Sequence, residues 1–492
     1  MPPLWCAHQK VRSPRVAAVL LSVSLPAGCQ TYTPAPLDLP AFHDAFGDRP
    51  EAFEALEHFV ARLRGQGVDV PENFDVSDGL SPAEGEVLAL FYNSDLRLAR
   101  LEAGVALANW DNAGLWEDPV FGFDGADILS PDGEPFEWGI GLSLTIPISG
   151  RLEIERDRAG AEYEAHLRAI VDAEWHTRAT VRTAWARWTA AIQQAALIED
   201  TLAELQHLDA TVSKLAELGA LNRVERRLFL IELASNDAAL TEARLDVLKT
   251  RTELLGVLGL PGSAVDLLLP TFHVVDMPIT DNTTARLIDA NTALAVHFAE
   301  YFLAEETLRL EVRKQYPDIV IGSGYGTEFN DHRVMFGISL PIPILNANRA
   351  GIAEARAKRE VARAKAETTF ADLDRRLESA IEAHALALEQ RDAFMDRIVP
   401  LLNDQMHDLR RIAELGEIDL FVMLETTTRQ LEARSRLLAL QLASLEAATT
   451  AAKLLGPDHA VPPALVIVEG VSNDTSLPSS QSPTSKSPRG GE

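Results

Sequence analysis

The residues best placed to do chemistry are twelve histidines and two cysteines, and their spacing offers little. A zinc site built on one helix face needs ligands three or four residues apart. His166 and His176 do not meet that spacing, nor do His384 and His407. The chain has no His-Glu-x-x-His run, no glycine loop of the phosphate-binding kind and no Gly-x-Ser-x-Gly nucleophile turn. The histidines therefore read as surface or packing residues. The expectation is a protein that is not an enzyme, with no cofactor and no metal site.

The two cysteines direct attention to the N-terminus. Lys10, Arg12 and Arg15 precede the uncharged, largely apolar stretch Val16 to Leu25, and small residues then lead to Cys29. That arrangement reads as an export signal over residues 1–28. The stretch is too short for a membrane-spanning helix, which needs about 20 apolar residues, and no later segment reaches that length without charges. Leu25-Pro26-Ala27-Gly28-Cys29 resembles a bacterial lipobox. The resemblance implies that Cys29 is acylated and becomes the mature N-terminus, with Gln30 permitting sorting to the outer membrane. Pro26 departs from the usual leucine, and cleavage nearby with a free Cys29 thiol is the alternative. With Cys6 inside the signal, a mature chain has no internal disulfide and must be stabilised by packing and assembly. Loss of residues 1–28, which hold three basic and no acidic side chains, takes the formal charge from −28 to −31. Such a surface repels nucleic acid and anionic membrane surfaces. It suits a wall past which cations move, or a surface kept soluble by charge.

The elements that carry these residues come in two copies. Asn93-Ser94-Asp95-Leu96 corresponds to Asn291-Thr292-Ala293-Leu294, Pro119 to Pro317, and Gly141-Leu142-Ser143-Leu144 to Gly337-Ile338-Ser339-Leu340. Leu218-Gly219 corresponds to Leu415-Gly416, and Leu254-Leu255-Gly256 to Leu454-Leu455-Gly456. The order is constant and the offsets drift only between 196 and 200, the signature of a tandem duplication. The domain plan is an N-terminal extended segment 29–74, a first repeat 75–265, a linker 266–282, a second repeat 283–457, and a C-terminal segment 458–492 with a disordered Ser/Pro-rich tail.

Each repeat predicts a helix, a glycine-rich β-hairpin, and a long helical run that reverses at a Leu-Gly pair. Trp138, Ile140, Leu142, Leu144 and Ile146 alternate with Gly139, Gly141, Ser143 and Thr145. The even positions 334–342 are apolar in the same way, with Met335 the one apolar intruder opposite. Weaker first strands begin near Val120 and Asp318. A face of glycine and serine opposite an apolar one suits a narrow lumen within lipid. Four strands alone would leave open edges in hydrocarbon, so closure must come from other copies, and three copies supply twelve strands. Residues 151–260 lack proline and are rich in helix formers. A helix over 151–218 would run on the order of 100 Å and needs partners along its length. Pro400 should kink the second run.

Leu340-Pro341-Ile342-Pro343-Ile344-Leu345-Asn346-Ala347-Asn348-Arg349 followed by Gly351-Ile352-Ala353-Glu354-Ala355 resembles a strand-to-helix crossing of the outer membrane efflux protein (TolC-like) family. Ser143 to Arg151 resembles the other crossing, Leu80 to Leu96 the opening helix, and the two Leu-Gly pairs the periplasmic helix tips. The likeness spans residues 75 to 457. It implies a mostly α-helical protomer of a homotrimer, with a twelve-stranded outer-membrane barrel continued by an α-helical barrel across the periplasm. It implies further that tips at Leu218, Gly219, Leu415 and Gly416 meet a periplasmic adaptor (membrane fusion protein) bound to an inner-membrane transporter, for export of metal cations or drugs. Such channels narrow at acidic rings just beyond the second tip, where Glu425 stands here. A periplasmic structural coiled-coil lipoprotein without a pore is the competing reading, and it leaves the two hairpins idle.

Overall fold

The computed structural model describes residues 32–51, 53–65, 70–71, 74–75, 78–127, 136–273, 276–277, 282–328, 331–414 and 419–457. The export segment, Cys29, the tip residues Leu415 and Gly416 and the segment 458–492 lie outside them. The chain divides into two units, residues 1–45 and 46–492. In the first, Asp38 caps the start of an exposed helix α1 (Leu39–Gly47) by accepting from the Ala41 N–H. Everything below concerns the second unit.

The N-terminal segment expected to be extended is helical instead. Helix α2 (Phe53–Gly65) buries Leu56, Phe59, Val60 and Leu63, a spacing of three, four and seven residues that marks an amphipathic helix rather than a strand. It covers the largest core cluster, which also holds Val87, Leu88, Leu96, Trp185, Leu254 and Leu258.

The duplication is real in three dimensions. Helices α3 (Pro82–Tyr92) and α4 (Ser94–Asp111) lead to strands β1 (Val120–Ala126) and β2 (Glu137–Ile146). Helix α5 (Arg151–Glu217) then runs 67 residues, about 100 Å, and α6 (Arg223–Leu258) returns beside it. The second repeat matches with α7 (Thr283–Ala290), α8 (Thr292–Arg313), β3 (Ile319–Glu328), β4 (Asp331–Ser339), α9 (Arg349–Ala393), α10 (Val399–Glu414) and α11 (Leu420–Leu455). A π-helical turn, Phe394–Ile398, joins α9 to α10. Proline lacks an N–H and crowds the carbonyl four residues back, so the wider turn placed just before Pro400 relieves the clash the sequence predicts.

One device recurs at the head of each repeat. Asn93 caps α4, accepting from the Asp95 and Leu96 N–H groups, and donates its Nδ2 to the Val257 carbonyl at 2.9 Å. Asn291 caps α8 through the Leu294 N–H and donates to the Leu454 carbonyl at 2.7 Å. Just beyond, Gly259 and Gly456 end the return helices at φ of 70° and 71°. A Cβ there would collide with the Tyr92 and Ala290 carbonyls respectively. Arg49 donates to the Gly259 carbonyl, and Arg286 to that of Gly456. These contacts correct the fifth sequence landmark. Gly456 corresponds to Gly259, the residue with positive φ, and not to Gly256, which lies inside α6.

The segment read as a linker is strapped to the first repeat. Leu80 bridges Leu268, and Trp185 donates its indole N–H to the Leu269 carbonyl at 2.9 Å. Replacing buried Asn291 by Ala removes a cap and a helix-to-helix hydrogen bond together. Asn291→Ala should therefore destabilise the protein by about 1–2 kcal/mol, measured by thermal unfolding followed by far-UV circular dichroism.

Candidate functional site

The four strands form one antiparallel sheet in the order β1-β2-β3-β4, with β1 and β4 at its edges. Strands β2 and β3 join the two repeats, with Gly141 opposite Gly324 and Leu144 opposite Ile321. Cross-strand partners share a face. One face carries the rows Phe121–Leu142–Ser323–Phe336, Phe123–Ile140–Tyr325–Val334 and Leu144–Ile321–Ile338. Its side chains stand in the open, Phe336 being 83% and Ile338 77% exposed. The other face carries Gly122–Gly141–Gly324–Met335 and Val120–Ser143–Gly322–Gly337, and lines a shallow groove. The alternation expected from the sequence is thus present, and Met335 lies on the glycine face as expected. Val120 and Val320 lie there too.

At the loop end of the sheet Trp138 meets Tyr325 edge-on at 6.0 Å, and Tyr325 stacks on His332 at 5.7 Å. Sequence reading did not single out this aromatic group, because its members are far apart in the chain. Asp124, Glu137, Glu328, Asp331 and Arg333 stand near the same end on the glycine face, with Arg333 paired to Glu328.

At the opposite end, strand turns to helix around one polar network. Gly150 adopts φ of 69° and α5 begins at Arg151. Asp318, just ahead of β3, accepts from the Ser149 hydroxyl at 2.8 Å and from Arg151 Nε at 2.6 Å, while Arg151 also holds Glu117 at 2.7 Å. Burial pushes the Asp318 carboxyl up, but the hydrogen bonds from Arg151 and Ser149 outweigh it and hold the group below its ordinary value. In the second crossing Asn348, at φ of 51°, donates to the Glu311 carbonyl and carboxylate at 2.8 and 2.7 Å. Nothing in the spacing of Ser149, Arg151 and Asp318 reveals this network, since the last lies 167 residues beyond Arg151.

The first helix tip is where the sequence places it. Leu218 is exposed, and Gly219 reverses the chain at φ of 76°, with the Ala220 N–H donating back to the Leu215 carbonyl. Asn222 then caps α6 in a reciprocal pair with Glu225. Leu205, Val212 and Phe229 of this hairpin pack with Leu420 and Leu424, so the start of α11 lies against the first tip. Leu415 and Gly416 fall outside the described residues. Glu425, on the second turn of α11, is exposed and ion-paired with Arg429 at 2.6 Å. Among the described residues no three His, Cys, Asp or Glu side chains converge as a metal site. No helix among them is long and apolar enough to cross a membrane, which says nothing of the sheet.

Two outcomes follow from this geometry. A carboxyl whose folded value is depressed contributes stability above its unfolded value, roughly pH 4, and loses it as pH falls through the folded value. Asp318→Asn should cost about 1–3 kcal/mol at neutral pH, with the gap to the parent closing as the pH drops below that window in parallel denaturant titrations. Gly219→Ala forces a Cβ into left-handed backbone and should cost about 1 kcal/mol, read as faster hydrogen exchange confined to the tip.

Residues 89–260 match the sequence model of the outer membrane efflux protein family. That is the first repeat with its return helix, a narrower span than the 75–457 over which the resemblance was read. A search of curated sequences finds no match. Among solved structures, the chain is similar to a membrane protein from Pseudomonas aeruginosa at 16% identity, over 82% of this chain and 97% of that one, with a TM-score of 0.69. It is similar to the CmeC outer membrane channel of Campylobacter jejuni at 14% identity, over 80% and 90%, with a TM-score of 0.66. The MtrE outer membrane channel of Neisseria gonorrhoeae gives 17%, 76%, 88% and 0.63 in the same terms. At such identities the likeness speaks for the fold alone: the chain has the fold of these outer membrane channels, and its residues 89–260 match the outer membrane efflux protein model.

Proposed function

We propose that this chain is one protomer of a homotrimeric outer-membrane channel, the passive exit duct of a tripartite efflux system. The observation that carries the reading is the sheet. One face is largely apolar and exposed, the other is rich in glycine with charged residues toward the loop end, and both edges are open. In lipid each unsatisfied backbone group costs several kcal/mol. A lone sheet is untenable there and a closed barrel is not.

The helices support the same reading. Helix α8 packs against both α5 and α9, whereas α4 packs chiefly against α5. Leu98, Leu101 and Val105 of α4 are exposed, while their counterparts Val296, Ala299 and Leu303 are half-buried. Helix α9 buries five of its 45 residues. Each surface lacks a neighbour that another copy would supply. A pore-less periplasmic coiled coil leaves the sheet unexplained.

In this reading Cys29 carries the lipid anchor, and Leu218, Gly219, Leu415 and Gly416 meet a periplasmic adaptor serving an inner-membrane transporter. The aromatic group at Trp138, Tyr325 and His332 sits at an outer membrane–water boundary, where barrels carry such girdles. Glu425 of three copies faces the axis at a constriction. Its bond to Arg429 is an exposed i,i+4 pair worth a few tenths of a kcal/mol, roughly 0.3–0.5, too little to hold the carboxylate away from a passing cation. The cargo is a small solute, a metal cation or a drug.

Purified protein in planar bilayers tests the duct. Discrete, cation-preferring conductance is expected, with Glu425→Gln lowering the cation preference severalfold and Arg429→Gln raising it. Absence of any conductance from a correctly folded oligomer would refute the channel, and an unchanged preference in Glu425→Gln would refute the constriction.

A further inference from the structure

A duplicated chain contains half of its own intermolecular contacts in advance. In a closed ring of such copies, a contact between the first repeat and the second within the chain would have a counterpart between the second repeat of one copy and the first repeat of the next. The equivalences can be read from structure rather than from sequence similarity. Ile148 donates to the Ile146 carbonyl and Ile344 to that of Ile342, so β2 maps onto β4 at an offset of 196. Val120 pairs with Ser143 and Val320 with Ser339, so β1 maps onto β3 at an offset of 200. Asp118-Pro119-Val120-Phe121-Gly122 then aligns with Asp318-Ile319-Val320-Ile321-Gly322, which corrects the second sequence landmark: Pro119 corresponds to Ile319 and not to Pro317. Arg151 and Arg349 are each the first residue of the long helix.

The counterpart of the internal Arg151–Asp318 pair is therefore Arg349 with Asp118. Both are exposed, and neither side chain has a hydrogen-bond or ion-pair partner among the described residues. Edge strands β1 and β4 likewise lack partners on their outer sides. Resting on the trimeric reading above, we propose that β4 of one copy pairs antiparallel with β1 of the next. The register places Leu340 opposite Phe121, Ile338 opposite Phe123 and Gly337 opposite Asp124, and an Arg349–Asp118 ion pair locks the junction between copies. The faces and the strand lengths agree with that register. It sets apolar against apolar, since the Leu144–Ile321–Ile338 row continues into Phe123 and Ile140 of the neighbour. It keeps the glycine face continuous. It lets β4 extend past Ser339, as β2 already extends to Ile146 against Ile319.

A one-residue slip would turn the faces inside out, so the realistic alternatives are slips of two. In the full-length chain, Phe123→Cys with Ile338→Cys should oxidise to covalently linked oligomers. The slipped pairs, Phe123→Cys with Phe336→Cys or with Leu340→Cys, should react on the order of tenfold more slowly, given the short reach of a disulfide. Faster linking of a slipped pair would overturn the register while leaving the trimer intact. A monomer by light scattering with no linking in any pair would instead overturn the trimeric reading itself. For the ion pair, Asp118→Arg and Arg349→Asp should each lower the temperature at which the detergent-solubilised oligomer dissociates, and the double variant should recover it. Failure of the double variant to recover, with the cysteine register upheld, would remove the ion pair from the interface.

Discussion

Two open strand edges constrain everything else in this molecule. The sheet satisfies its backbone between β1 and β4 but presents free N–H and C=O groups on both outer sides. In water such edges invite aggregation, and in hydrocarbon they are prohibitive. Neither edge carries the prolines, bulges or short length by which soluble sheets protect themselves, apart from Pro119 and Pro341 just beyond the strand ends. The apolar face compounds the problem. Phe121, Phe123, Val334, Phe336 and Ile338 all stand exposed on that face, the kind of apolar surface that marks an interaction or membrane-facing site. In the proposed channel, copies of the chain would pair the edges and lipid would cover the apolar face, which ties the proposal to an oligomeric state.

The passage from strand to helix is the second physical problem, because two kinds of backbone hydrogen bonding must meet without leaving groups unsatisfied. In the first crossing, left-handed Gly150 turns the chain and Asp318 collects the Ser149 and Arg151 donors. The pair is only partly buried, so its desolvation cost is modest and charge-assisted hydrogen bonds prevail. The second crossing is two residues longer and uses Ala347 and Asn348 in the left-handed region, with Glu311 as the anchor. The second repeat thus turns on a different backbone and adds an anchor of its own, while Arg349 keeps the place of Arg151 at the head of the long helix.

The two repeats also differ in how much core they can call on. The first gathers α2, α3, α5 and α6 around Trp185, which is fully buried and hydrogen-bonded to the Leu269 carbonyl; Gly85 leaves room for its ring. The second relies on a smaller cluster of Leu287, Leu294, Leu377, Ala451 and Leu455. Their long helices contrast in the same way. Helix α5 buries residues along most of its length, while α9 stands largely open and passes through a π-turn before Pro400. The second repeat therefore depends more heavily on neighbours.

Periodicity is local, and what is local was legible in the amino-acid order. The period-two strands, the 67-residue helix and the reversal at Leu218-Gly219 follow from residues close together in the chain, and the duplication from short local motifs that recur in constant order. So did the family resemblance, carried by contiguous crossings. Helix α2 has a helical apolar spacing, but it is short and lies within a segment whose flanks are polar and carry prolines. The last repeat landmark was misaligned because Leu-Leu-Gly occurs at 254–256, while positive φ and the Asn93 and Asn291 hydrogen bonds single out Gly259 and Gly456. The Asp318–Arg151 junction, the Trp138–Tyr325–His332 group and the Arg429 partner of Glu425 depended on tertiary geometry or rotamer choice. A hydrogen bond across 167 residues leaves no periodic trace, since only the pairing of β2 with β3 brings its two ends together.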